Sequence, residues 1–124
     1  MNDISTLPTG TVTFLFTDIE ASTKLAQQYP DDMPALLARH HEILHQAIQE
    51  QNGYVFQIVG DAFCASFHSA IEALTAAVNA QRLLYYEPWS PAPIRVRMGI
   101  HTGRADLQGK GEYHGYLTLS HIQR

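Results

Sequence analysis

A chain of 124 residues with 8 lysines and arginines against 12 aspartates and glutamates carries a formal charge of -4, is 45% hydrophobic and 16% charged, and has one cysteine, Cys64. That is the size and composition of one folded domain with one core, which excludes a disordered or fibrous chain. A net negative balance without a basic cluster excludes the electrostatic footprint of a nucleic-acid binder or membrane-surface helix, and no apolar run in the sequence approaches a transmembrane span, so a cytoplasmic location is expected.

Residues 1–9 read as a short lead punctuated by proline and glycine, and residues 10–124 as the domain. Thr11 to Phe16 is β-branched, apolar and aromatic without alternation, the pattern of a central strand buried on both faces. Asp18 follows at its carboxyl end, and Ser22 and Thr23 are candidate N-caps for a helix starting near Lys24. Tyr29-Pro30-Asp31-Asp32 breaks that helix. From Ala35 to Gln49, Leu36, Leu37, His40, Ile43, Leu44, Ala47 and Ile48 recur at helical spacing, and Asn52-Gly53 ends the pattern.

Tyr54 to Val59 and Ala62 to Phe67 are strand-like runs separated only by Gly60-Asp61, the length of the tightest hairpin turn, with glycine at the first central position. Ser69-Ala70-Ile71-Glu72 is a capping-box pattern, after which Ile71, Leu74, Ala77, Val78 and Leu84 mark a third helix, broken by Glu87-Pro88. Pro88 to Pro93 reads as a loop. Ile94, Val96, Met98 and Ile100 alternate with Arg95, Arg97 and Gly99 as a half-buried strand, His101-Thr102-Gly103 is expected to turn out of it, and Gly109 to Gly115 is expected to be a polar, glycine-rich loop or arm. The order strand, helix, helix, strand, strand, helix, strand predicts an α+β or mixed α/β layer with helices packed on a sheet.

Two acidic residues occupy unusual positions. Asp18 terminates a buried strand, and Asp61 sits in the hairpin turn. If the hairpin pairs beside the first strand, both carboxylates project from neighbouring strand ends, and with a backbone carbonyl such as that of Ile19 they make a hard oxygen site suited to Mg²⁺ or Mn²⁺. The helix after Asp18 would add amide donors from Glu20, Ala21, Ser22 and Thr23, a seat for phosphate. Metal and amides together can bind a nucleoside triphosphate despite the negative charge of the chain. The plainer reading makes Asp18 a cap or Asx-turn residue and Asp61 a turn former.

The run Gly10-Thr11-Val12-Thr13-Phe14-Leu15-Phe16-Thr17-Asp18-Ile19-Glu20-Ala21-Ser22-Thr23-Lys24-Leu25, then Val59-Gly60-Asp61-Ala62-Phe63, then Arg95-Val96-Arg97-Met98-Gly99-Ile100-His101-Thr102-Gly103, resembles the class III nucleotidyl cyclase catalytic domain in three ordered blocks. The resemblance implies a ferredoxin-like α/β core that forms a head-to-tail homodimer with the nucleotide between subunits. It also implies conversion of ATP, or GTP in some members, to the 3′,5′-cyclic nucleotide and pyrophosphate. The aspartates at Asp18 and Asp61, with the carbonyl of Ile19, would hold two Mg²⁺ or Mn²⁺ ions. One ion would activate the ribose 3′-hydroxyl and the other would neutralise the phosphates.

Four positions depart from the family pattern. Gln57 stands where the family has a base-reading lysine, and Glu112 where a second base-reading residue, usually Asp or Thr, is expected. Leu119 and Gln123 fall where the family has a ribose-orienting asparagine and a charge-stabilising arginine, and neither can do that work. The resemblance also places Arg124 just before a further helix and returning strands, so the domain is expected to be incomplete at its carboxyl end. Two functions follow: a weak or atypical cyclase, or a catalytically silent cyclase-like module for nucleotide or metal binding, or for dimerisation, in signalling.

A rival motif is His41-Glu42-Ile43-Leu44-His45, which matches the HExxH helix of zinc hydrolases. Ile48 stands where the longer form of that motif needs glycine, no third ligand follows, and imidazoles flanking an apolar stripe are the plainer reading. Arg95 and Arg97 face away from the apolar set and are expected to be solvated or at a subunit interface. His101 and Gly103 are expected to shape a turn, and Cys64 to be a small core residue.

Overall fold

The computed structural model describes residues 7–107 and 113–114. The first strand, β1, spans Gly10–Ile19 and lies at the centre of the sheet, flanked by β3 and β4. It runs three residues beyond the expected Phe16, because pairing with β4 continues through Asp18 opposite Arg97 and Ile19 opposite Val96. Two helices follow, α1 (Ser22–Gln28) and α2 (Met33–Glu50), then the hairpin β2 (Tyr54–Val59) and β3 (Ala62–Phe67), then α3 (Ala70–Tyr86), β4 (Val96–Leu107) and a two-residue β5 (Tyr113–His114). All pairings are antiparallel, in the order β2-β3-β1-β4-β5. Strand, helices, hairpin, helix and strand in this spatial order make a ferredoxin-like α/β layer.

The helix-facing side of the sheet carries the main core. Leu15, Ile19, Phe63, Ala65 and Phe67 meet Ile43, Leu44, Ala47 and Ile48 of α2 and Ala73, Ala76, Ala80 and Leu84 of α3. Full burial of each large apolar side chain contributes about 1.5–3 kcal/mol, so this layer is the principal source of stability. The other side buries Val12, Phe14, Phe16, Cys64 and Ala105, with Cys64 in the small-residue role expected of it. Gly53 closes the α2–β2 connection because a Cβ there would lie 2.5 Å from the Phe67 ring.

Several local expectations hold and four do not. The two-residue turn forms as read, with Gly60 at φ +61° and Val59 paired to Ala62. Ser69 caps α3 by accepting a hydrogen bond from the Glu72 amide at 3.2 Å. By contrast, neither Ser22 nor Thr23 caps α1: the N-cap is Ala21, in the left-handed region at φ 55°, with no side-chain cap bond. The cause is the late end of β1, since the Glu20 amide still bonds the Arg95 carbonyl at 2.8 Å and the chain must reverse at the next residue. The second helix begins at Met33 rather than Ala35, because Pro34 lies in the first turn, where proline removes no helical hydrogen bond.

The third helix packs on its small residues. Ala73, Ala76, Ala77, Ala80 and Leu84 are buried, whereas Ile71, Leu74 and Val78 are 72%, 52% and 42% exposed. Finally, His101-Thr102-Gly103 does not turn out of β4. The strand continues to Leu107, with Thr102 opposite Thr13 and their hydroxyls 2.9 Å apart. Of the loop expected at Gly109 to Gly115, Tyr113–His114 pair with Leu107 and Asp106, and the rest lies outside the described residues.

Candidate functional site

Pairing of β1 with β3 places Thr17 opposite Phe63, so Asp18 and Ile19 at the end of β1 lie beside Ala62 and Asp61 at the start of the hairpin return. The amide of Phe63 donates to Thr17 Oγ1 at 3.4 Å, which ties the two strands at this end. The hairpin does pair beside β1, which puts Asp18, Ile19 and Asp61 at the same end of the two paired strands. By the two-residue period of a strand, Asp18 shares the face of Phe16 and Phe14, away from the helices.

Gln57 reaches the same face by a different route. The register of β2 against β3 shifts between Val55 and Gln57, leaving Phe56 as an extra residue in a β-bulge. Gln57 consequently pairs with Cys64, whose side chain belongs to the helix-free face, and Phe56 packs against that same cluster. Ile19 is buried and its side chain has no ligating atom, so any ligand it supplies is its backbone carbonyl. Glu112 lies outside the described residues, as do Leu119 and Gln123.

The phosphate-seat expectation is corrected at one position. The Glu20 amide is used by the Arg95 carbonyl and does not point into an anion site. Ala21, Ser22 and Thr23 remain at the amino end of α1, a seven-residue helix with no buried side chain.

The contact the sequence did not point to is that of Arg97 with Asp18. Arg97 is exposed, as expected, and its guanidinium also holds Asp18 in a fork, Nε donating to Oδ1 at 2.9 Å and Nη2 to Oδ2 at 3.0 Å. The bonded carboxylate, aided by the charges of Asp18, Glu20 and Asp61, raises the pKa of Arg97 above its ordinary value. The signal lay in the pairing: once β4 is adjacent and antiparallel to β1, Arg97 faces Asp18 directly.

In donor chemistry the site offers two carboxylates and a backbone carbonyl. Among the described residues no group of three or more His, Cys, Asp or Glu side chains is placed to hold a metal ion. That set does not suit zinc or a calcium cage, but it suits Mg²⁺, which is commonly held by one or two carboxylates together with water and substrate phosphates.

The HExxH histidines point elsewhere. The rings of His41 and His45 each lie 5.1 Å from the Phe63 ring, and His40 lies 5.7 Å from it, so all three pack around one aromatic side chain. His40 is fully buried, and among the described residues neither of its ring nitrogens, nor Nε2 of His41, has a hydrogen-bond partner. Burial, with a smaller contribution from His41, lowers the His40 pKa from 6.5 to about 4.

Fold and site thus define an antiparallel α/β domain of ferredoxin-like order, with Asp18 on the helix-free face and Asp61 in the turn at the same end of the sheet. The family model for the adenylate and guanylate cyclase catalytic domain matches residues 4–114, and the chain belongs to that family. An uncharacterised protein of Mycobacterium tuberculosis is 41% identical over 109 residues, an alignment covering 86% of this chain and 36% of that protein. This chain therefore spans about a third of that relative's length. Among solved structures, adenylate cyclases from Trypanosoma brucei in their monomeric state superpose with a TM-score of 0.82 at 25% identity, covering 90% of this chain and 66% of that one. The guanylate cyclase domain of RhGC from Catenaria anguillulae, solved in complex with GTP, superposes with a TM-score of 0.69 at 20% identity over 85% of this chain and 64% of that one, a likeness of fold alone. No helix among the described residues is long and apolar enough to cross a membrane.

Proposed function

We propose that this chain is a cytoplasmic nucleotidyl cyclase domain that binds a nucleoside triphosphate with Mg²⁺ or Mn²⁺ at Asp18, Ile19 and Asp61. The observation that carries the proposal is the pairing of β1 with β3, which supports a joint role for two aspartates 43 positions apart in sequence. Asp18 and Asp61 would hold two ions through their carboxylates and Ile19 would add its carbonyl. Bound there, the ions supply charge neutralisation on the phosphates and a lowered pKa for the attacking 3′-hydroxyl.

The remaining roles fall to the chain's own groups. Gln57, on the same face as Asp18, offers one donor and one acceptor set to a base edge, and with no charge it favours neither ATP nor GTP. Ala21, Ser22 and Thr23 contribute the amino end of α1 towards phosphate. Glu112 is proposed as the second contact to the base. The nucleotide would lie between two copies of the chain in a homodimer.

A second reading, the catalytically silent module, is favoured by Leu119 and Gln123, which replace a polar and a cationic group. The test is a product assay with Mn²⁺ and either ATP or GTP. Formation of cyclic nucleotide, lowered on the order of a hundredfold or more by Asp18→Ala, is expected for a cyclase, because loss even of an outer-shell partner costs 10–100-fold at metal sites. Metal-dependent nucleotide binding without product identifies the silent module.

A further inference from the structure

Asp18 is the best-placed metal ligand of the site, and it already has a cation. Both of its oxygens accept hydrogen bonds from the Arg97 fork, at 2.9 and 3.0 Å. The two residues are directly opposed across β1 and β4, so the backbone holds them in register rather than leaving the contact to two wandering side chains. Their side chains are nonetheless accessible, 68% for Arg97 and 38% for Asp18, so exchange with solvent ions is open. Glu20 and Asp61 both act electrostatically on the same guanidinium. One fixed positive charge therefore sits within a group of three acidic residues.

We propose that Arg97 is an internal counter-ion that competes with the divalent metal for Asp18 and so sets the metal concentration at which the site loads. The inference rests on the two-aspartate metal site proposed above. While the fork is closed, the charge of Asp18 is compensated and both its oxygens are engaged, which weakens the site for a second cation. Loading requires the guanidinium to leave Asp18, and a divalent charge arriving nearby also repels it. Arg97 is thus a positioning residue with a threshold role, separate from any contact it makes with substrate. An arginine suits that role better than a lysine, because a planar fork engages both oxygens at once.

The experiment measures Mn²⁺ binding by electron paramagnetic resonance on the full chain without nucleotide, in wild type, Arg97→Gln and Asp18→Asn. An exposed ion pair of this kind corresponds to a change of a few fold, so Arg97→Gln is expected to bind Mn²⁺ on the order of fivefold more tightly, with Asp18→Asn much weaker than either. Equal or weaker binding in Arg97→Gln overturns the counter-ion role while leaving the metal site standing. Absence of Mn²⁺ binding in both wild type and Arg97→Gln overturns the metal site and the counter-ion role with it. A second measurement guards against a misfolded variant: in wild type, the Arg97 Nε–H resonance is expected to move along the Mg²⁺-binding isotherm. A resonance unmoved at calorimetric saturation overturns the proposal.

Discussion

The two long helices cover the same face of the sheet and do so by opposite means. The stripe of α2 buries large side chains, Met33, Leu36, Ile43, Leu44 and Ile48, and the stripe of α3 buries four alanines and Leu84 while turning Ile71, Leu74 and Val78 outward. Large residues fill space between a helix and a sheet, and small ones let the helix backbone approach. The difference teaches that the apolar residues marking a helix in sequence need not be the residues that hold it down.

The comparison is broken hardest at Ile43, which is fully buried. Ile43→Ala is expected to lower stability by about 2–5 kcal/mol, read from urea unfolding midpoints, because the cavity lies where α2 meets the sheet. A loss below 1 kcal/mol would show that α2 is not held by its large residues.

Next is the pH dependence that α2 alone carries through His40. Its pKa in the folded chain, about 4, lies below the ordinary 6.5, so the unfolded chain takes up the proton first. The associated stability is complete above about pH 6.5 and is lost as pH falls towards 4, on the order of 2–3 kcal/mol in all. His45, whose pKa is also lowered, first by burial and then by His41, adds to the loss in the same direction. His40→Leu, which removes two buried nitrogens that have no partner among the described residues, is expected to flatten the fall in unfolding free energy between pH 7 and pH 4. An unchanged pH profile would remove His40 from the account. The smallest effect belongs to α3: Ile71→Ser, at a position 72% exposed, is expected to change stability by no more than about 0.5 kcal/mol in the same urea assay.

Features whose cause is local were legible in the sequence. Gly60-Asp61 specified its turn because only two residues separate two strands and glycine accepts the positive φ found there. Ser69 and Glu72 specified the start of α3 through one hydrogen bond three residues apart. The joint placement of Asp18 and Asp61 was legible conditionally, on the hairpin pairing beside β1. What was not legible depended on partners. Ala21 adopts its left-handed conformation because β4 holds β1 to its last residue, and nothing in Glu20-Ala21-Ser22 signals that. His101-Thr102-Gly103 carries turn residues, yet pairing with Val12, Thr13 and Phe14 keeps it in the strand. Arg97 read as a solvated side chain, which it is, but its partner Asp18 was not legible until the strand opposite it was known.

The bulge at Phe56 has a consequence for the tolerance of the chain to insertion and deletion. Upstream of it Tyr54 and Val55 keep one phase against β3, and downstream Gln57, Ile58 and Val59 keep another, locked through the two-residue turn to Asp61. A residue gained or lost between Gln57 and Asp61 would swing Gln57 to the helix side, off the face it shares with Asp18. Removal of Phe56 itself would leave Val55 opposite Ala65 and Tyr54 opposite Ser66 in a ladder now continuous with Gln57 opposite Cys64, so the faces on which they lie would not change. The spacing from Gln57 to Asp61 is therefore a ruler with no slack, and the bulge is the point at which length variation in β2 can be absorbed.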